Sequence, residues 1–160
     1  MEAYARYGPA LIRKCQRLLQ HTQDSEDIVQ GLFVDLLSEK GPPRQKLDLP
    51  YLYRAVTNRC LNHLRDARNR ARLLAEHDGS LRGPARVGCD EQVLGLELVL
   101  RLAEKLDDAC LEVLAYRYFD ELTLEEIAEL TGFSRKTVGK RLERVREEVQ
   151  QLLGSHAGDA

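Results

Sequence analysis

Residues 122–138 read Leu-Thr-Leu-Glu-Glu-Ile-Ala-Glu-Leu-Thr-Gly-Phe-Ser-Arg-Lys-Thr-Val, and this stretch decides the fold. Thr123 stands where a helix cap belongs, and Glu126 three residues on completes a capping box. Ile127, Ala128 and Leu130 take the inward positions, and the small Ala128 permits a close helix crossing. Gly132 allows a tight turn, Phe133 plugs the angle between two helices, and Ser134 caps the second of them. In that second helix Val138, Leu142, Val145 and Val149 share one side. Lys136, Thr137, Lys140, Arg141 and Arg144 share the other, where a recognition helix meets the major groove of DNA. The pattern is a helix-turn-helix with an acidic first helix and a basic second one.

Outward from this motif nearly everything reads as helix, because apolar residues recur at spacings of three and four and no stretch alternates like a half-buried strand. A first helix is expected over Glu2–Leu19, broken or kinked early at Gly8-Pro9. A second begins with Asp24 as its N-cap, carries Glu26 and Asp27 in its first turn, and stops at Gly41-Pro42-Pro43. A third runs from Tyr51 to about Leu74. Residues 75–92 contain Gly79, Gly83, Pro84 and Gly88 without periodicity and read as a linker. Helices resume near Val93 and continue to about Leu153, and the tail from Gly154 is expected to fray. The fold class is therefore all-α: a helical domain over 1–74, a flexible linker over 75–92, a second helical domain over 93–153 and a tail over 154–160.

The chain has 160 residues and a formal charge of −2, which by itself argues against nucleic acid as a partner. Its distribution reverses that inference. Between Pro50 and Arg72 six arginines (54, 59, 65, 68, 70, 72) face Asp66 alone, a local +5. Between Ser134 and Arg146 six basic residues face Glu143 alone, again +5. Val93 to Phe133 carries ten acidic residues against three basic ones, a local −7. In the third helix Leu52, Val56, Cys60 and Leu64 gather on one side, with Arg54, Asn58, Asn62, Arg65 and Arg72 roughly opposite. Arginine matches phosphate through its planar fork, and asparagine can hydrogen-bond base edges.

Other classes find little support. No apolar run reaches the roughly 18 residues of a membrane span. The N-terminal stretch MEAYARYGPALIRKCQRLLQ has charges throughout and no apolar signal core, so the expected location is the cytoplasm. Cys15, Cys60, Cys89 and Cys110 form no CxxC pair and no zinc pattern. Cys60 and His63 share a helical face, a weak nucleophile–base signal that the apolar setting of Cys60 undercuts. No catalytic residue, metal, cofactor or small-molecule substrate is expected.

With these residues read, the sequence resembles the bacterial extracytoplasmic-function (ECF, group 4) sigma factors, which consist of conserved regions 2 and 4. Asp24-Ser25-Glu26-Asp27-Ile28-Val29-Gln30-Gly31-Leu32-Phe33 is similar to the D-A-E-D-x-x-Q-E-x-F element of region 2. Tyr51 through Arg65 is similar to the W-L-x-x-I-A-x-N-x-x-x-D-x-x-R helix, and Leu111–Phe119 with Leu122–Arg141 to region 4. The resemblance implies that Glu26, Asp27, Gln30 and Phe33 dock on the β′ coiled coil of core RNA polymerase. It implies that the Gly41–Asp48 loop with Arg54, Asn58, Asn62 and Arg65 reads and melts the −10 element. It implies that Ser134, Arg135, Lys136, Thr137, Lys140, Arg141 and Arg144 read the −35 element, that region 4 rests on the β-flap, and that an anti-sigma factor regulates the chain.

The sequence departs from the family pattern at five places. Gly31 replaces a Glu, Asn62 an Asp and Tyr51 a Trp, Gly139 stands where a basic residue is frequent, and Leu106-Asp107 replaces Leu-Pro. The competing expectation is a stand-alone helix-turn-helix regulator, which would bind a palindromic duplex by itself.

Overall fold

In the computed structural model, which describes residues 2–38, 48–78 and 91–154, the spacing of apolar residues by three and four produces helices throughout. They are α1 (Glu2–Leu19), α2 (Thr22–Leu37), α3 (Leu49–Asp78), α4 (Glu91–Lys105), α5 (Asp108–Leu114), α6 (Leu124–Thr131) and α7 (Arg135–Gly154). A π-helical turn, Ala115–Phe119, continues α5. No strand occurs among the described residues. The expected loop over 41–47, the middle of the expected linker and the tail after Gly154 lie outside them.

Several helix ends differ from expectation for local reasons. Pro9 sits inside a continuous α1, because Ala5, whose carbonyl loses its N–H partner, and Pro9 itself lie on the exposed side. Helix α2 starts two residues before Asp24: His21 is its N-cap, and its Nδ1 accepts the Asp24 N–H at 3.3 Å. Helix α3 starts at Leu49, since the Asp48 carboxylate accepts the Tyr51 N–H at 2.9 Å and Pro50 fits the first turn. It runs to Asp78, four residues beyond Leu74, and α4 begins at Glu91 rather than Val93.

Helices α1, α2 and α3 bury Leu11, Cys15, Leu18, Val29, Leu32, Leu52, Val56 and Cys60 against one another. The same core continues without interruption through Val99, Leu102, Leu111, Leu114 and Val145 of the C-terminal half. The two lobes are thus packed together. A smaller cluster of Val113, Tyr116, Ile127, Val138 and Leu142 builds the helix-turn-helix.

Inside that cluster the local chemistry is as the sequence indicates. Thr123 Oγ1 accepts the Glu126 N–H at 3.2 Å and the Glu126 carboxylate accepts the Thr123 N–H at 2.7 Å, closing the capping box. Gly132 adopts φ 76°, a left-handed conformation that favours glycine, and ends α6. Ser134 Oγ accepts the Thr137 N–H at 3.1 Å and starts α7. Replacing Thr123 by Ala should cost about 1 kcal/mol in chemical denaturation, because one helix N–H loses its partner.

Candidate nucleic-acid interface

The basic side of α7 is built by the opposite side. Val138, Leu142 and Val145 are buried, which leaves Lys136 and Lys140 exposed on the outer surface, without an ion pair among the described residues. Thr137 is half-buried against the Ser134 cap. Arg135 is exposed but pairs with Glu125 of α6 at 3.0 Å. Arg141 lies over the Phe133 ring, 4.7 Å from its centroid, so Phe133 both fills the helix angle and supports a cation. Beyond its own helix, nothing stands within 4 Å of where a Cβ would be at Gly139, so the surface of α7 is open there.

Asp107 stands out in the sequence as a departure, but its role does not. It takes the position that the family gives to proline and is the N-cap of α5, accepting the Cys110 N–H at 2.8 Å. The same carboxylate lies 3.5 Å from Arg141 and 3.8 Å from Arg144 on α7. The Cys110 N–H, and then the two guanidinium groups, hold its carboxyl below the usual range. A depressed native pKa means that the native state binds fewer protons than the unfolded chain. This contribution is therefore present above the unfolded value, near pH 4, and is lost as pH falls through the native one. Thermal melts between pH 6 and pH 3 should fall more steeply for the parent than for Asp107→Asn.

Helix α3 offers Asn58 and Asn62 to solvent. Three of its arginines are occupied by the second lobe. Arg54 Nε donates to Glu112 at 2.8 Å and its Nη2 to the second Glu112 oxygen at 3.2 Å, a two-pronged pair with α5. Arg65 pairs with Asp108, and Arg68 reaches Glu104 at 2.7 Å and Glu97 at 3.5 Å. A cleft of about 380 Å³ opens at the start of α3 between Pro50, Tyr51, Arg54, Asn58 and Leu130, the last contributed by α6.

The acidic surface of α2 is separate. Glu26, Asp27 and Gln30 are exposed together. Phe33 is turned inward, 8% exposed and edge-on to Tyr4 at 5.2 Å, so it sets the position of α2 and leaves the outer surface to its neighbours. Gly31 lies under Arg59, whose guanidinium continues to Asp35 at 2.5 Å.

The thiol–imidazole pairing weighed from sequence does not form. Cys60 donates to Cys15 at 3.2 Å between buried sulfurs, and that bond together with burial holds its thiol protonated. His63 instead lies 3.4 Å from Asp24. Among the described residues no cluster suits a metal, and no helix is long and apolar enough to cross a membrane.

Two family models match along the chain: sigma-70 region 2 over residues 3–70 and sigma-70 region 4 over residues 96–149. The chain belongs to the sigma-70 family. It is 28% identical over 159 residues to the ECF RNA polymerase sigma factor SigW of Bacillus subtilis, covering 92% of this chain and 84% of that one. It is 26% identical over 158 residues to the RNA polymerase sigma factor YlaC of the same organism, covering 95% and 90%. A co-crystal structure of the Bartonella quintana sigma factor RpoE with the anti-sigma factor NepR matches at 20% identity and a TM-score of 0.49, covering 96% of this chain and 95% of that one. The chain is thus an ECF-type sigma factor. It is not an enzyme but an alternative sigma factor directing promoter-specific transcription initiation.

Proposed function

We propose that the chain is a group 4 sigma factor with one domain ending at Asp78 and a second beginning at Glu91, acting in the cytoplasm. The observation that carries this reading is the pair of basic helices on separate lobes, one of them the second helix of a capped helix-turn-helix. Lys136, Lys140 and Arg144, with Ser134, Arg135, Thr137 and Arg141 around them, read the −35 element. Arg54, Asn58, Asn62 and Arg65 follow the unpaired −10 strand, where cations track the backbone and polar groups meet bases. Glu26, Asp27 and Gln30 dock on core polymerase, with Phe33 holding α2 beneath them.

An anti-sigma factor completes the reading. A groove of about 1190 Å³ runs between α1, α4 and α7, with Leu98, Leu102 and Val149 on its walls and Arg13, Arg17 and Arg146 at its margin. An amphipathic helix with an acidic border suits it.

Run-off transcription from a cognate promoter tests the function. Product is expected only when the protein and core polymerase are both present, and no association with core would overturn the reading. Asp27→Ala should weaken capture by core about tenfold without loss of helicity, since the side chain is exposed.

A further inference from the structure

The lobe interface is composed in an unusual way: among the described residues, every ion pair between the lobes sets a basic residue of the first against an acidic residue of the second. Arg54 meets Glu112, Arg65 meets Asp108, and Arg68 meets Glu104 and Glu97. Lys14, fully buried on α1, pairs with Asp120 just after the π-helical turn, and Arg17 joins the same carboxylate at 3.2 Å. Glu112 is 4% exposed and also accepts the Tyr116 hydroxyl at 3.0 Å, so it is held in place from its own lobe. Two oxygens presented to one guanidinium fork form the arrangement that a phosphate offers to arginine.

We propose that the acidic surface of the second lobe, centred on Glu112, is an internal substitute for DNA phosphates that occupies Arg54, Arg65 and Arg68 of α3 in the free protein. This rests on the assignment of α3 to the −10 strand. Leu130 of the helix-turn-helix forms one wall of the cleft beside Tyr51, Arg54 and Asn58, so the same packing that pairs the arginines also narrows the approach to the start of α3. DNA reaches Arg54, Arg65 and Arg68 only after the lobes part, and the affinity of the free protein is reduced by the fraction that is closed.

Glu112→Arg combined with Asp120→Lys sets like charges against Arg54, Lys14 and Arg17. Small-angle scattering should show a larger radius of gyration with helicity retained. Binding of a single-stranded −10 oligonucleotide at physiological salt should tighten about tenfold over the parent. A variant that is as compact as the parent, or one that expands with no gain in affinity, overturns the proposal. The exchanged pair Arg54→Glu with Glu112→Arg gives a second arm. It should be as compact as the parent while Glu112→Arg alone is expanded, and equal expansion of the two also overturns the proposal. Parent run-off with core polymerase is scored alongside, because its absence counts against the sigma-factor reading and leaves the scattering comparison intact.

Discussion

Reversing Lys136 and Lys140 together to Glu lowers transcription from a −35-dependent promoter roughly hundredfold, with the melting temperature unchanged. Each lysine is exposed on the outer side of α7 and engaged in no ion pair among the described residues. On the proposed assignment of α7 to the −35 element, reversal removes two attractive contacts with DNA and replaces them by repulsion. A direct contact contributes about 1–3 kcal/mol, and two of them give an effect of this order. The loss should be specific to promoters that depend on the −35 element, and capture by core polymerase, assayed by pull-down, should be retained. Equal loss on a promoter lacking that element would move the assignment away from α7.

Leu142→Ala produces the second large effect, on stability. Leu142 is 2% exposed between Val138, Ile127 and Tyr116, at the centre of the cluster that sets the crossing of α6 and α7. Shortening a buried leucine costs about 2–5 kcal/mol, depending on how far the site collapses. A small domain holds about 5–15 kcal/mol in total, so this is a large share. Urea denaturation followed by circular dichroism should show the midpoint falling with a similar slope. Val34→Ala, on an exposed position of α2, should leave the midpoint within about 0.5 kcal/mol of the parent.

The helix-turn-helix was readable because its determinants are local. Thr123 and Glu126 lie three residues apart, Gly132 supplies a positive φ, and Ser134 bonds a backbone group three residues on. The heptad-like placing of Val138, Leu142 and Val145 likewise identified the buried side of α7. What the sequence did not disclose depends on partners distant along the chain. Lys14 reads as a surface lysine, yet it is fully buried because Asp120, 106 residues away, and the rings of Tyr53 and Tyr116 surround it. Burial pulls its pKa down, opposed by Asp120. Arg54 and Arg65 were rightly grouped on one surface of α3, but no periodicity within α3 could reveal that Glu112 and Asp108 would occupy them. Phe33 belongs to the stretch of α2 that is similar to the family's region 2 element, but its ring turns inward against Tyr4. Asp107 was visible as a departure from the family proline, and its two roles required three-dimensional proximity to Arg141 and Arg144.

That double role of Asp107 restricts how this protein can change its promoter. One carboxylate secures the start of α5 and also steadies two cations of α7. If α7 reads the −35 element as proposed, substitutions at 141 or 144 also alter the foundation on which the helix stands. A helix transplanted into the place of α7 from a relative with proline at 107 would meet a carboxylate that its own scaffold lacks. New specificities should be reached more readily through Lys136, Gly139 and Lys140, which this scaffold leaves uncommitted, than through the arginines that follow them.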